Sequence, residues 1–556
     1  METSQERELI IQGMTCGGCA THVIKALKGV EGVGNVQLPD WKAGSATVQV
    51  NAAVTKQTLE SAVDTAGYTA KVFSPQKPDN QSTNKQTDFD LIIIGTGGAG
   101  MGAAIKAAEL GFSSAIIESG TIGGTCVNIG CVPSKALLRA AEAYHKAGHH
   151  GFKGVQTRAE SLDWKTIMKE KDELVESLRQ KKYIDVIDSY PEITLIQGTA
   201  QLQSDGSVLV DGDTAYSGKK VIIATGARPR ILPLEGLEEV DVLTSTTAME
   251  LKKLPQSMII IGGRFIALEQ AQIFSRFGTK VTILQRSERL VPNREPEISE
   301  GIAEAFRDEG VIVHTKAQPI SIKEVDGEKI ITVIIDGKKE EIKGEQVLMA
   351  VGRVGNTDTL GLESLGVELD KDGAITVDDT LQTSHPAIYA AGDVSNRPQL
   401  VYVAAAAGGI AAENALTGTQ NPLDLSVLPE VLFSDPQIAT VGLTEVQAKE
   451  QGYDVATATL PLEYVPRAIA ARDTKGLIKL ISDRTTNQLI GAHILAAEGG
   501  ELIQTAAMAI YNGKKYGFTV QDFRKMLFPY LVQVEGLKLA TLTFDKEVAQ
   551  LSCCAG

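Results

Sequence analysis

No apolar run in this 556-residue sequence approaches the roughly 18 residues that a membrane-spanning helix needs. A basic excess is missing too. Lys and Arg number 54 against 69 Asp and Glu, for a net charge of -15. That balance argues against the cationic footprint of a nucleic-acid-binding protein. The opening METSQERELI has no basic region followed by a long apolar stretch, so no secretion signal is expected and the expected compartment is the cytoplasm. Cysteine is scarce, at 6 residues. A disulfide scaffold is thereby excluded, because such scaffolds are short and cysteine-dense.

The cysteines that remain come as three close pairs: Cys16/Cys19, Cys126/Cys131 and Cys553/Cys554. Pairing of this kind in a long chain points to soft-metal or redox chemistry. Overall, 43% of the residues are hydrophobic, and the length fits three or four domains with ample core.

Hydrophobic periodicity divides the chain. Residues 1–72 alternate as strand, helix, strand, strand, helix, strand, a ferredoxin-like βαββαβ order. Residues 73–88 are polar and without apolar period, the pattern of a flexible linker. From Phe89 apolar strands alternate with helices, which predicts an α/β fold with two Rossmann-like nucleotide-binding domains. An α+β segment follows from about Ser426.

The first strand of the α/β region runs into Gly95-Thr96-Gly97-Gly98-Ala99-Gly100 and then a helix. Glycines let a pyrophosphate approach the backbone, and the helix N-terminus stabilises its charge. Glu118 ends the next strand, in position for a ribose hydroxyl. A second unit, Gly262-Gly263-Arg264-Phe265-Ile266-Ala267, has Arg264 in place of the second glycine, where a side chain is expected to crowd or redirect the pyrophosphate. Its acidic position is Gln285, with Arg286 and Arg289 close behind. Loss of the acid and gain of two cations favour a 2′-phosphate, hence NADPH.

The segment Gly123-Gly124-Thr125-Cys126-Val127-Asn128-Ile129-Gly130-Cys131-Val132-Pro133-Ser134-Lys135 is the most specific in the chain. Pro133 suits a first helical turn. A helix N-terminus and Lys135 one turn on should both favour the Cys131 thiolate.

GGTCVNIGCVPSK resembles the active-site signature of the flavin-dependent pyridine nucleotide–disulfide oxidoreductases, over roughly residues 89–556. Supporting pieces are Ala224-Thr225-Gly226 and Ile388-Tyr389-Ala390-Ala391-Gly392-Asp393. The resemblance implies FAD bound in 89–236 and 355–425, NADPH in 237–354, and a dimerisation domain in 426–556. It implies Cys131 against the flavin, Cys126 as the outer thiol, and Lys135 paired with Glu269 near the flavin. Asp393 would take the ribityl chain. Gly120, Gly124, Thr125, Ala200, Thr225, Gly226 and Val401 would join Gly95, Gly97, Gly100 and Glu118 around FAD, and Gly262, Arg286 and Arg289 would serve NADPH. The family's usual gating tyrosine is replaced by Phe265.

The disulfide-reducing members use a histidine near the C-terminus to shuttle protons; here the matching place reads Phe528-Pro529-Tyr530. Phenylalanine cannot shuttle a proton, and tyrosine does so poorly near neutral pH. His385-Pro386 leads into the flavin strand and reads as structural. A soft metal ion needs electrons and thiolates but no proton shuttle. Leu551-Ser552-Cys553-Cys554-Ala555-Gly556 resembles the C-terminus of the mercury-reducing members of this family. That implies a homodimer whose tail passes Hg(II) to Cys126 and Cys131 of the other subunit, with Tyr183 and Tyr530 beside the metal. Gly13-Met14-Thr15-Cys16-Gly17-Gly18-Cys19 resembles the metal loop of heavy-metal-associated domains, in which the two cysteines hold one soft ion; His22 reads as surface.

The expected function is therefore NADPH- and FAD-dependent reduction of Hg(II), delivered by small thiols or a membrane mercury transporter. Two rivals make different predictions. A disulfide reductase with a fused metal domain would turn over a disulfide. A metal store with an inactive flavoprotein part would bind metal without oxidising NADPH.

Overall fold

The computed structural model describes residues 5–12, 17–38, 45–51, 54–73 and 88–551. The chain separates into two compact units, Met1–Gln86 and Thr87–Gly556.

The first unit follows the predicted order: β1 (Gln5–Gln12), α1 (Gly17–Lys28), β2 (Val33–Gln37), β3 (Ser45–Val50), α2 (Lys56–Thr65) and β4 (Thr69–Phe73). Its sheet runs β2-β3-β1-β4, antiparallel throughout. Leu9, Val48 and Val50 on the strands and Val23, Leu27, Leu59 and Val63 on the helices form one buried core. α2 starts where the Thr55 hydroxyl accepts the Thr58 N–H, an N-cap that satisfies an orphan donor. Cys16 and most of residues 73–88 lie outside the described residues, as does the side chain of Cys19 on α1.

In the second unit, β5 (Phe89–Ile94), α3 (Gly98–Glu109) and β6 (Ser114–Glu118) open a five-stranded parallel sheet. Ile94 aligns with Ile223 on one side and Ile117 on the other. Leu91, Ile92 and Ile93 are fully buried, as a parallel strand covered on both faces requires. Each such side chain contributes about 1.5–3 kcal/mol on burial. The helix Val401–Thr417 crosses α3 closely because small residues face each other. A Cβ on Gly408 would be driven into the carbonyl oxygen of Ala99, and one on Gly102 into that of Ala405.

A second, four-stranded parallel sheet is built from 257–261, 280–284, 312–314 and 346–349. The helix Phe265–Arg276 packs against it with Ala267, Leu268, Ala271 and Phe274 buried. The last part carries a five-stranded antiparallel sheet, with strands Gln437–Gly442 and Gln488–Ala496 packed on the helix Gly499–Tyr516. The predicted fold class therefore holds: two parallel-sheet nucleotide folds, an α+β part and a small ferredoxin-like unit. No helix among the described residues is long and apolar enough to cross a membrane.

Candidate active site

The two glycine turns repeat one solution. Gly95 has φ 108° and Gly262 φ 124°, both left-handed. A Cβ on Gly95 would strike the carbonyl of Ala224, and one on Gly262 that of Ala350. Each turn is thus pressed against the strand beside it, and only glycine fits. Gly100 is closed by the Gly95 carbonyl in the same way. Gly97 differs. Its backbone is extended, and a Cβ there would meet only the Gly124 Cα at 3.9 Å. The space above Gly97, at the N-terminus of α3, forms a cradle open to an anionic group.

Glu118 is busier than a ribose ligand alone would be. It accepts the Thr96 N–H at 3.0 Å, the Thr96 hydroxyl, and the Gly120 N–H at 2.8 Å. Thr96 in turn accepts the Gly123 N–H at 3.0 Å. The acid therefore staples the glycine turn to the segment leading into the cysteines, and keeps one lone pair for a hydroxyl.

Opposite this turn, Thr225 and Asn356 clasp each other. The Thr225 hydroxyl donates to the Asn356 carbonyl and the Asn356 amide to the Thr225 carbonyl, both at 2.8 Å. Asn356 N–H also donates to the Gly226 carbonyl at 2.9 Å. Asp393 lies 3.6 Å from the Arg353 Nε, and that buried nitrogen has no hydrogen-bond partner. Burial raises the Asp393 carboxyl above its usual value, with Arg353 opposing. An unpaired buried donor beside a perturbed acid fits a polar ligand. Ala200 opens a short strand paired with Val210, and Val401 packs on Gly98. Taken together, the open cradle and the orphaned Arg353 nitrogen fit FAD.

Cys131 opens helix α5 (Cys131–Lys146), after the short helix α4 (Gly124–Ile129) that carries Cys126. Both are free thiols and only partly exposed. The Cys126 sulfur hydrogen-bonds Cys131, and this is the main reason the Cys131 thiol drops to about 7; the Lys135 charge adds to it and burial opposes it. The same bond and burial push Cys126 up. The partner thiol thus outranks the lysine that the sequence singled out.

Lys135 donates to both oxygens of Glu269, at 3.0 and 2.8 Å. Its Nζ also stands 4.7 Å from the centroid of the Phe433 ring, and the Phe433 N–H donates to Glu269 at 3.1 Å. Asn128 holds the cysteine loop, donating to the carbonyls of Ile122 and Gly124 at 2.9 Å each and accepting from Arg179 at 3.1 Å.

Arg179 ends helix α6 (Trp164–Arg179), and the chain continues as a π-helical turn, Gln180–Ile184. That turn delivers Tyr183 to the site; such turns recur at functional sites. The Tyr183 ring abuts Gly123. Burial raises its hydroxyl pKa, and Cys126 and Cys131 add to the effect. Tyr530 is not brought to this group. It lines a cavity of about 440 Å³ with Tyr464, Ile469, Leu539 and Leu551, which no other candidate residue lines. Cys553 and Cys554 lie outside the described residues.

In the second nucleotide unit Arg264 caps its helix at φ -112° and ψ -167°, an extended backbone open to any residue. Arg264 therefore occupies the second-glycine position without backbone strain. Gln285 is buried, its amide donating to the Arg289 carbonyl at 3.1 Å, while Arg286 is exposed. His385 closes a turn, its Nδ1 accepting the Ala387 N–H at 3.3 Å, in keeping with the structural reading. Arg353, Asn356 and Phe433 were invisible in the sequence. Each meets its partner across a long stretch of chain, and no local pattern marks it.

The pyridine nucleotide–disulphide oxidoreductase family model matches residues 89–408, and that family's dimerisation domain matches 428–541. A heavy-metal-associated domain matches 8–69. The mercuric reductase of Lysinibacillus sphaericus is 45% identical over 98% of this chain and 99% of its own length. That of Staphylococcus aureus is 45% identical over 100% of both. That of Streptomyces lividans is 47% identical over 84% of this chain and 99% of its own. Among solved structures, the HOCl-induced flavoprotein disulfide reductase RclA of Escherichia coli superposes with a TM-score of 0.73 at 30% identity, covering 82% of this chain and 99% of that one. By its glycine turns, its cysteine pair and these relatives, the chain belongs to the pyridine nucleotide–disulphide oxidoreductase family, among its mercuric reductases.

Proposed function

We propose that the chain reduces thiolate-bound Hg(II) to Hg(0) with NADPH, using FAD and the Cys126/Cys131 pair. The observation that carries this reading is the pair itself: two free thiols hydrogen-bonded to each other, one held near neutral pKa, at the family's redox position. Phe528, where the disulfide reductases place a proton-shuttling histidine, supports a substrate that needs no such shuttle.

FAD would be held by Gly95, Gly97, Gly100, Glu118, Gly120, Gly124, Thr125, Lys135, Ala200, Thr225, Gly226, Asp393 and Val401. When bound, it supplies the two-electron relay between NADPH and the metal. NADPH is assigned to Gly262, Arg286 and Arg289. The Cys131 thiolate displaces one thiolate from the incoming Hg(II) complex, and Cys126 displaces the second, its proton passing to the departing sulfur. Soft sulfur keeps the ion coordinated throughout, so no bare dication is released. The hydrogen bond from Cys126, with the charge of Lys135 fixed by Glu269 adding to it, holds the Cys131 sulfur anionic until the metal binds. Tyr183 closes one side of the site and limits water. The overall reaction balances: the hydride of NADPH supplies two electrons and one proton, solvent supplies a second proton, Hg(II) becomes Hg(0), and the two freed thiolates leave as thiols.

We assign residues 1–72 to metal delivery through Cys16 and Cys19, 89–236 and 355–425 to FAD, 237–354 to NADPH and 426–556 to subunit pairing. The dimerisation-domain match supports a homodimer. In that dimer, Cys553, Cys554 and Tyr530 would serve the partner's cysteine pair; the place of Tyr530 in a separate groove beside Leu551 supports service in trans. Free thiols and NADPH use favour the cytoplasm, with Hg(II) arriving on small thiols or from a membrane transporter.

The test mixes enzyme, NADPH, excess small thiol and Hg(II). Hg(II)-dependent NADPH oxidation with release of volatile mercury is expected. No metal-dependent oxidation, or turnover of glutathione disulfide in its place, would refute the reading.

A further inference from the structure

The guanidinium carbon of Arg294 lies 5.3 Å from the centroid of the Phe265 ring. Both residues belong to the second nucleotide unit, and the contact is held from several sides. The Arg294 side chain, 17% exposed, donates to Glu430. Next to Glu430, the Tyr402 hydroxyl donates to the Pro429 carbonyl.

The main chain is fixed as firmly. Val291 N–H donates to the Gly263 carbonyl at 2.8 Å, and Arg294 N–H to the Val291 carbonyl at 2.9 Å. Val291 is buried with φ 40°, a strained value for a β-branched residue that persists only where the surroundings over-determine it. One residue after Arg294, Glu295 is buried and accepts from Lys479 at 2.8 Å and from the Glu445 N–H at 2.6 Å. Residues 291–295 are therefore tied at one end to the glycine turn and at the other to the C-terminal sheet.

Phe265 opens the helix that carries Glu269 one turn later, and Glu269 holds Lys135 beside Cys131. Along the chain Phe265 thus lies between the Gly262–Gly263 turn and Glu269, the partner of Lys135. We infer that Arg294 is a positioning residue, which holds the Phe265 ring across the coenzyme's route and sets the cost of displacing it. This inference rests on the NADPH reading above. When the binding-competent form is a minor one, apparent affinity falls in proportion to its population. A partly desolvated cation–π contact changes that population by about three- to thirtyfold.

The experiment titrates FAD-loaded enzyme with the unreactive tetrahydro analogue of NADPH by calorimetry. Arg294→Met is expected to bind it about three- to thirtyfold more tightly. Arg294→Lys, which keeps a cation, should stay close to the unmodified enzyme. In a Phe265→Leu background, Arg294→Met should change nothing, because the ring it restrains is gone. Should Arg294→Met fail to fold, Glu430→Gln loosens the same guanidinium and should shift binding in the same direction. Weaker or equal binding by Arg294→Met overturns the inference, weaker binding marking Arg294 as a direct coenzyme contact. If the unmodified enzyme does not bind the analogue at all, the NADPH reading itself fails, and the inference with it.

Discussion

Lys135 Nζ bridges both carboxylate oxygens of Glu269, at 3.0 and 2.8 Å, and thereby stands one helical turn beyond Cys131. The pair joins the cysteine helix to the first helix of the second nucleotide unit, and its lysine charge adds to the lowering of the Cys131 thiol.

The first prediction concerns pH. The Cys131 thiol is lowered to about 7 by its bond from Cys126 and by Lys135. A lowered acid contributes stability that is present above its unfolded value and is lost as pH falls through the folded one. Because the thiolate is the nucleophile, alkylation of the reduced enzyme should also lose rate as pH drops below about 7. Lys135→Met should raise that midpoint, with a roughly tenfold lower thiolate fraction at neutral pH. Iodoacetamide kinetics against pH check it; an unmoved midpoint would contradict the role given to Lys135.

Two glycines of one turn should fail in different ways. Gly100→Ala drives a Cβ into the Gly95 carbonyl, so the apoprotein itself should melt lower. Gly97→Ala meets open space, so apoprotein melting should hold while FAD affinity falls at least about tenfold, because the Cβ takes pyrophosphate room. Thermal melts of both apoproteins and flavin-fluorescence titrations separate the two. Equal loss of stability in both variants would contradict the cradle.

These contrasts mark what was legible beforehand. The glycine turns, the cysteine spacing and the βαββαβ order are local patterns, set by backbone reach and side-chain period. Arg353 with Asp393, Thr225 with Asn356, and Phe433 with Glu269 are assembled by folding, and no spacing announces them. Tyr183 was named by resemblance, but the π-helical turn that aims it leaves no sequence period. The Cys126–Cys131 bond, which outranks Lys135 in lowering the Cys131 thiol, likewise needed three dimensions.

Residues 1–72 lie within a separate compact unit with its own core. Their removal should leave Hg(II)-dependent NADPH oxidation in excess thiol within about twofold of the full chain, since delivery in vitro is by free exchange. A loss of more than tenfold would mean the unit takes part in turnover.

Service in trans is open to complementation. Chains with Cys126→Ala and chains ending at Leu551 should each be weak as homodimers when thiol is limiting. Mixed dimers should regain activity at the one site that combines an intact pair with the partner's tail. No recovery on mixing, with mixed dimers verified by mass, would contradict that arrangement.

The most direct test of the central claim is a single turnover with stoichiometry. Reduced enzyme receives one equivalent of Hg(II) under excess NADPH, and volatile mercury is counted against NADPH consumed. The account predicts one Hg(0) per NADPH in the unmodified chain, and none in Cys126→Ala although that variant still accepts electrons from NADPH. Consumption of NADPH while the mercury stays thiolate-bound would contradict it.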